Sequence, residues 1–401
     1  VPQRRCGSPF ATTGRSADEG QRDRQASHRP ISRRRLVELG VVAAGTSFLA
    51  ACGGDDSSGG ASGSIEDEPG GLSVLEWAGY EYPTYGGKGA AGVLQPYVDK
   101  YGAPKYTFLT SDDQALGKVR AGFEPDIVHP CVSYVNDWVD LGYAQPWDTS
   151  LLSNFDKLNP SLVENSQVDG EQYFIPADWG FSSLLYRTDK VEPSGEESWN
   201  LYFDDRYKGK ISWWDSPLEN FLIYGYVQGF DPYDWDTWTD QQLEDAKQFL
   251  IEKKKLVRNM WSSQTDFDND VANGNVWIGY SWGGSYTAAK KAGLQVAYAE
   301  PKEGRLSWNC GFVLNKDTKN FHHAHAYVDA WIGAASAAWI IPNYAYGHSN
   351  TEVDTATIDP GLVSVFHLDD PTALEEPKAH IERYVPDRRR FAKAWDEVKA
   401  A

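Results

Sequence analysis

The sequence lacks a run that suits a transmembrane helix. Its apolar stretch Leu36–Ala51 would be roughly 24 Å long as a helix, a bilayer core is about 30 Å thick, and Glu38 interrupts the run. Positive charge is also scarce: 38 Lys and Arg face 57 Asp and Glu, a formal net charge of −19. That balance disfavours nucleic acid and anionic lipid as partners and favours cations. Histidines with metal-binding helical spacing are missing. His322, His323 and His325 lack the i, i+4 interval and read as solvated side chains at a helix start, so no metal or cofactor is expected. No fixed-period repeat occurs. Aromatics, by contrast, are plentiful, with 16 Trp and 22 Tyr, and these suit either core packing or stacking on sugars and cations. A chain of 401 residues exceeds the usual size of one core and is expected to split into two lobes.

The short apolar run has a different use. Three arginines precede it, small residues close it and a cysteine follows, which are the parts of an export signal. Ser32-Arg33-Arg34-Arg35-Leu36-Val37 resembles a twin-arginine signal, and Leu49-Ala50-Ala51-Cys52 resembles a lipobox, in which Cys52 is lipidated. The expectation is an exported protein, lipid-anchored on the outer face of the cytoplasmic membrane. Residues 1–51 are then the signal with an N-terminal extension. Residues 52–71, rich in Gly, Ser, Asp and Glu, form a flexible tether. Cys6 is removed with the signal, leaving Cys131 and Cys310 as a disulfide or as two buried thiols.

Beyond the tether, strand and helix patterns alternate, as in a parallel α/β sheet. "LSVLEW", "KYTFLT" and "PDIVHP" read as strands. Helices are expected at 92–101, along "SDDQALGKVRAG" and along "SYVNDWVDLG". "SLLYRTDKV", "GKISWWDS", "NVWIGYSW", "LQVAYAEP" and "GFVLN" continue the strand series. The spacing of Leu243, Ala246, Phe249, Leu250 and Val257 predicts a helix over 240–257, capped by Thr239, and Tyr327–Ile340 is a further apolar helix.

Two motifs invite stronger readings. Gly87–Gly92 matches G-x-G-x-x-G but lacks the strand immediately before it that a dinucleotide site requires. Gly279-Tyr280-Ser281-Trp282-Gly283 matches G-x-S-x-G in a strand–turn–helix setting, as a hydrolase nucleophile elbow does. Asp329, Asp354, His348 and His367 follow it, although no oxyanion loop of HGGG type is present. A secreted serine hydrolase built on Ser281 is therefore one rival reading.

Seven stretches in order carry a more specific likeness: "LEWAGYEY", "FEPDIVHPCVSYVNDWVDLG", "YFIPADWGFSSLLYRTDKV", "YKGKISWWDSPLENF", "NVWIGYSWGGSYTAAKKAG", "YAEPKEGRLSWNCGFVLN" and "NYAYGHSN". Together they resemble the periplasmic polyamine-binding proteins of ABC importers, the spermidine/putrescine type, from Leu72 to the C-terminus. The resemblance implies an α/β periplasmic-binding-protein fold of type II, with two lobes joined by crossing strands and a ligand cleft between. It assigns 72–181 and 285–338 to lobe 1, and 182–284 and 339–401 to lobe 2. It implies a binding protein rather than an enzyme, a monomer that hands a small cation to an ABC permease, with no nucleic acid partner.

The family's ligand positions fall on Trp77, Tyr80, Cys131, Ser133, Tyr134, Ser216, Glu219, Trp282, Trp308 and Asn309, with Asp215 beside Ser216 and Trp214 as a further aromatic. Indole faces would hold methylenes and positive charge, and Asp215 and Glu219 would pair the ammonium groups. The family's last acid aligns with Asn309 or Cys310, so one carboxylate is missing, with Asp178 a replacement if it faces the cleft. A neutral end favours a monocation, a short amine or a quaternary ammonium. In the same alignment Cys131 and Cys310 map to the cleft wall of one lobe, where a bridge would replace a polar ligand pair and narrow the cleft. A sugar-binding protein that stacks its ligand on the same tryptophans is the second rival.

Overall fold

The computed structural model describes residues 63–86 and 92–401; the export signal, Cys52 and most of the Gly87–Gly92 motif lie outside them. Among the described residues one sheet contains β1 (Ser73–Trp77), β2 (Lys105–Leu109), β3 (Ile127–Val128), β4 (Ala144–Gln145), β5 (Phe174–Arg187), β6 (Ile211–Trp214), β7 (Val257–Trp261), β8 (Ile278–Trp282), β9 (Val296–Tyr298), β10 (Arg305–Asn315), β11 (Gly347–His348) and β12 (Ala379–Ile381). Its main path runs β2-β1-β3-β10-β5-β8-β6-β7. The β1–β2 and β1–β3 pairs are parallel, as are β6–β7 and β6–β8. β10 and β5 run antiparallel to each other and to their outer neighbours, β3 and β8.

The first lobe is built on side-chain alternation. Val74, Ile127, Ile175, Phe312 and Leu314 point into one core, while their neighbours Leu75, Val128, Phe174 and Val313 point into another on the opposite face. Successive strand residues face opposite sides of a sheet, and a sheet covered on both faces reads as continuous apolar runs. The second lobe has one large core joining Leu184, Trp213, Phe221, Ile278 and Trp395.

β5 and β10 are longer than the segments expected from "SLLYRTDKV" and "GFVLN", because each passes from one lobe into the other. Their mutual register shifts between Cys310 and Gly311, with Pro176 opposite Gly311. A proline offers no ladder donor and is tolerated at such an irregularity. Gly311 permits the close crossing: a Cβ there would lie 2.2 Å from the Ile175 carbonyl oxygen.

The lobe boundaries differ from the sequence expectation in two places. The helix Gly283–Lys291 and strand β9 place Ala289 and Val296 in the second-lobe core, rather than in the first lobe. Residues 339–381 do not belong wholly to the second lobe either. Ile341, Phe366 and Ile381 form a separate cluster with Trp179, Phe181 and Tyr298 behind the crossing strands, and β11 pairs with β5 at Asp178 and Trp179. The helix over 240–257 ends as an α-helix at Lys253, capped by Thr239 through the Gln242 N–H. The 327–340 helix proves to be two, Phe321–Trp331 and Ala334–Tyr344. Two of the three histidines are not solvated: His323 is 8% and His325 1% exposed, while His322 is partly exposed. Glu68 accepts the backbone N–H groups of His322 and His323 and lies within hydrogen-bond reach of both rings, satisfying orphan donors at a helix start.

Candidate functional site

Second-lobe aromatics gather at the ends of β6, β7 and β8. Trp214 stacks on Tyr280 with centroids 5.2 Å apart and meets Trp282 edge-on at 5.2 Å. Trp261, which sequence reasoning missed, closes the group at 5.1 Å from Trp282 and 6.0 Å from Trp214. Parallel neighbouring strands bring these rings together because each ring stands at or near the C-terminal end of its strand. Glu219 opens the following helix, Glu219–Gln228. It accepts a hydrogen bond from Ser216 Oγ, and burial raises its carboxyl above the ordinary range.

Trp308 lies on the crossing strand β10 opposite Gly180 of β5. A Cβ at Gly180 would come within 2.5 Å of the indole, so the missing side chain is what lets the ring lie against the backbone. Tyr346 meets that ring edge-on at 4.7 Å. Gly180→Ala should expel the indole from this position. The expected result is an altered tryptophan emission spectrum and ligand affinity weakened about tenfold or more, the scale of one cation–π contact of ~1.5–2 kcal/mol; unchanged emission would show that Trp308 does not depend on Gly180.

A carboxyl reaches Asn309 from elsewhere in the chain. Glu382, next after β12, accepts the Asn309 backbone N–H at 3.1 Å. Burial pushes its carboxyl up to about 8, and the neighbouring Asp112 and Glu219 add to the rise. Asp112, in the first turn of the helix Asp112–Arg120, accepts the Cys131 backbone N–H at 3.0 Å. Burial lifts it to about 7, against the pull of Arg388. Glu382 thus feels carboxyls from two other chain segments, Asp112 and Glu219. Neither Asp112 nor Glu382 was singled out in the sequence, since nothing in "HIERY" betrays a neighbour as distant along the chain as Asn309.

Arg388 was also missed. It opens the helix Arg388–Ala400, which packs in the second-lobe core. Its guanidinium lies 3.5 Å from the Tyr134 ring centroid, donates to the Ser133 carbonyl and reaches Asp137 at 3.3 Å. Arg388 of the second lobe thus meets Ser133 and Tyr134, and one face of Tyr134 is covered by an internal cation.

Other expected residues serve the fold instead. Asp215 accepts the Trp395 indole N–H at 2.7 Å and pairs with Lys399 at 3.2 Å; it is turned toward the C-terminal helix and is no free partner for an ammonium. Asp178 is 0% exposed, accepts the Tyr80 hydroxyl at 2.6 Å and lies 3.5 Å from His129. Glu76 holds the other nitrogen of that ring at 2.6 Å. Burial opposes the charge on His129, but Glu76 and Asp178 outweigh it and raise the imidazole to about 9. Asp178 thus balances an internal imidazolium rather than replacing the missing acid, and Tyr80 is anchored to that network. Trp77 stands beside it, with its indole N–H buried and without a partner among the described residues. Asn309 is fully buried and its side-chain amide likewise finds no partner there.

Ser281 does not form a nucleophile elbow. It is a wholly buried residue within β8, opposite Ser183, and its hydroxyl has no hydrogen-bond partner among the described residues. A serine nucleophile needs a base within hydrogen-bond reach and access for substrate, and the hydrolase reading fails on both. Cys131 and Cys310 are free thiols that face each other across an isolated antiparallel bridge.

A family model described as bacterial extracellular solute-binding protein matches residues 107–361. The putrescine-binding periplasmic protein PotF of Escherichia coli (strain K12) is 27% identical over 326 residues, covering 74% of this chain and 84% of that protein. The spermidine/putrescine-binding periplasmic protein of the same organism is 27% identical over 265 residues, 65% of this chain and 72% of its own length. Among solved structures, the spermidine/putrescine ABC transporter substrate-binding protein PotD from Streptococcus pneumoniae superposes with a TM-score of 0.66 at 20% identity, covering 82% of this chain and 97% of that one. The α/β fold expected from the sequence is the fold of that protein.

Proposed function

The chain belongs to the bacterial extracellular solute-binding protein family, and from that premise we propose that it captures a small organic cation of the polyamine type between its lobes and delivers it to the permease of an ABC importer. The observation that carries this reading is Glu382, held on the Asn309 backbone N–H next to Trp308, in a chain whose second lobe gathers Trp214, Trp261 and Trp282 at its strand ends; Asp112 and Glu219 add to the rise of that carboxyl. Burial holds these carboxyls back from ionising, and at Glu382 the like charges of Asp112 and Glu219 add to it. A cation arriving among them relieves that repulsion and lets them ionise, while the indole faces take up its methylenes. Ligand contact with both lobes then favours the closed form. A neutral sugar would gain from the indoles but would leave the carboxyls unrelieved, which favours the amine. The names of the relatives, PotF among them, point to the same ligand class. Export through Ser32–Val37, a lipid anchor on Cys52 and action as a monomer belong to the same proposal.

A thermal-shift screen over diamines, polyamines, betaines, amino acids and sugars tests it. Ligand at 100 times its Kd stabilises by about 2.7 kcal/mol, a shift of roughly 5 °C for a chain of this size. The expected responders are amines. Stabilisation by sugars alone would replace the cation reading with that of a sugar-binding protein.

A further inference from the structure

We propose that Cys131 and Cys310 are joined by a disulfide in the exported protein, covalently closing the cleft wall of the first lobe. The two residues oppose each other in an antiparallel bridge. The Gly311 N–H bonds the Pro130 carbonyl at 3.1 Å, so the hydrogen bond links the residues flanking the pair and not the pair itself. That is the narrow type of antiparallel site, with Cα atoms about 4.5 Å apart and side chains close, inside the range of roughly 4.4–6.8 Å that a disulfide spans.

The bridge would sit where the ligand site is assembled. Cys131 is held by Asp112 through its N–H and precedes Ser133 and Tyr134. Cys310 follows Asn309, whose N–H holds Glu382, and marks the register break at which β10 changes lobe. Joining them fixes the Asp112 carboxyl relative to that of Glu382. The chemistry is thiol–disulfide exchange: two Sγ–H bonds break, one Sγ–Sγ bond forms and two protons leave. Two electrons pass to an acceptor disulfide, protein or small-molecule, which becomes two thiols. The opposing Cys310 thiol and burial at Cys131, and burial at Cys310, make thiolates scarce at both positions, which neither stabilises the reduced form nor marks a fast redox sensor.

The test is made on protein recovered from the exported fraction, alkylated without reduction, digested and analysed by mass spectrometry. Expected is a Cys131 peptide linked to the Cys310 peptide, appearing as two separate alkylated peptides only after reduction. Reduction should lower Tm by roughly 5 °C and weaken amine binding several-fold, and the Tm of Cys131→Ser should not respond to reductant. Recovery of both cysteines singly alkylated without reduction, even after incubation of the folded protein with oxidised glutathione, overturns the proposal, as does capping of each by glutathione without linkage. The linkage is read by mass, so its failure is distinguishable from a failure of amine binding.

Discussion

Glu382→Gln should weaken amine binding by roughly 30- to 150-fold, about 2–3 kcal/mol, the cost of removing one charge from a buried charge-assisted hydrogen bond. The neutral amide can still accept the Asn309 N–H, so the fold should persist and the weakening should come from the charge. The pH dependence gives the same variant a second signature. Burial holds Glu382 near 8 and Asp112 near 7, while an ammonium ligand stays charged up to about pH 9. Binding selects the ionised carboxyls, so affinity should rise as pH increases from 6 to 9, by as much as tenfold per pH unit for each proton expelled. In Glu382→Gln the part of the rise near pH 8 should flatten. The ligand-free protein should behave oppositely. Its raised carboxyls bind protons more tightly than the unfolded chain does. Their contribution to stability is therefore full below the ordinary carboxylate pKa and is lost as pH rises through about 7 and 8. Calorimetric titrations at four pH values, with melting curves of the empty protein, check both signs; amine affinity independent of pH would remove Glu382 from the site.

Arg388→Ala should open the ligand-free protein. This one side chain ties the second-lobe helix to the first lobe through the Tyr134 ring, the Ser133 carbonyl and Asp137. A cation–π contact of about 1 kcal/mol and a charge-assisted hydrogen bond of about 1.5 kcal/mol favour the closed arrangement by ~2 kcal/mol. Without them the ligand must supply that difference, and affinity should fall roughly 10- to 30-fold. Small-angle scattering should report a larger radius of gyration for the empty variant and the wild-type value at saturating amine. Arg388→Lys should recover only part of the effect, because an ammonium lacks the planar face that lies on Tyr134. Tighter binding in Arg388→Ala would instead identify the guanidinium as a cation that competes with the ligand for the acidic site.

The chain's own pattern fixed a good deal. Apolar runs such as "LSVLEW" and "PDIVHP" gave β1 and β3, because a strand buried on both faces must be apolar throughout. Thr239 and the apolar stripe after it gave the helix from Asp240, since capping and helical periodicity are local properties. The tryptophans at strand ends, Trp214 and Trp282, were legible for the same reason. Each is set by its own strand, and parallel strands bring such ends together.

The charges of the site were not legible. Asp215 and Asp178 looked available in sequence, yet tertiary packing gave the first to Trp395 and Lys399 and the second to Tyr80 and His129. Asp112, Glu382 and Arg388 were not singled out in sequence, yet helix starts and a strand end from distant segments bring Asp112 to the Cys131 N–H, Glu382 to the Asn309 N–H and Arg388 to Tyr134. Whether a carboxyl is free to hold a ligand depends on which groups from elsewhere in the chain reach it first, and a pattern that repeats every two or 3.6 residues carries no record of that.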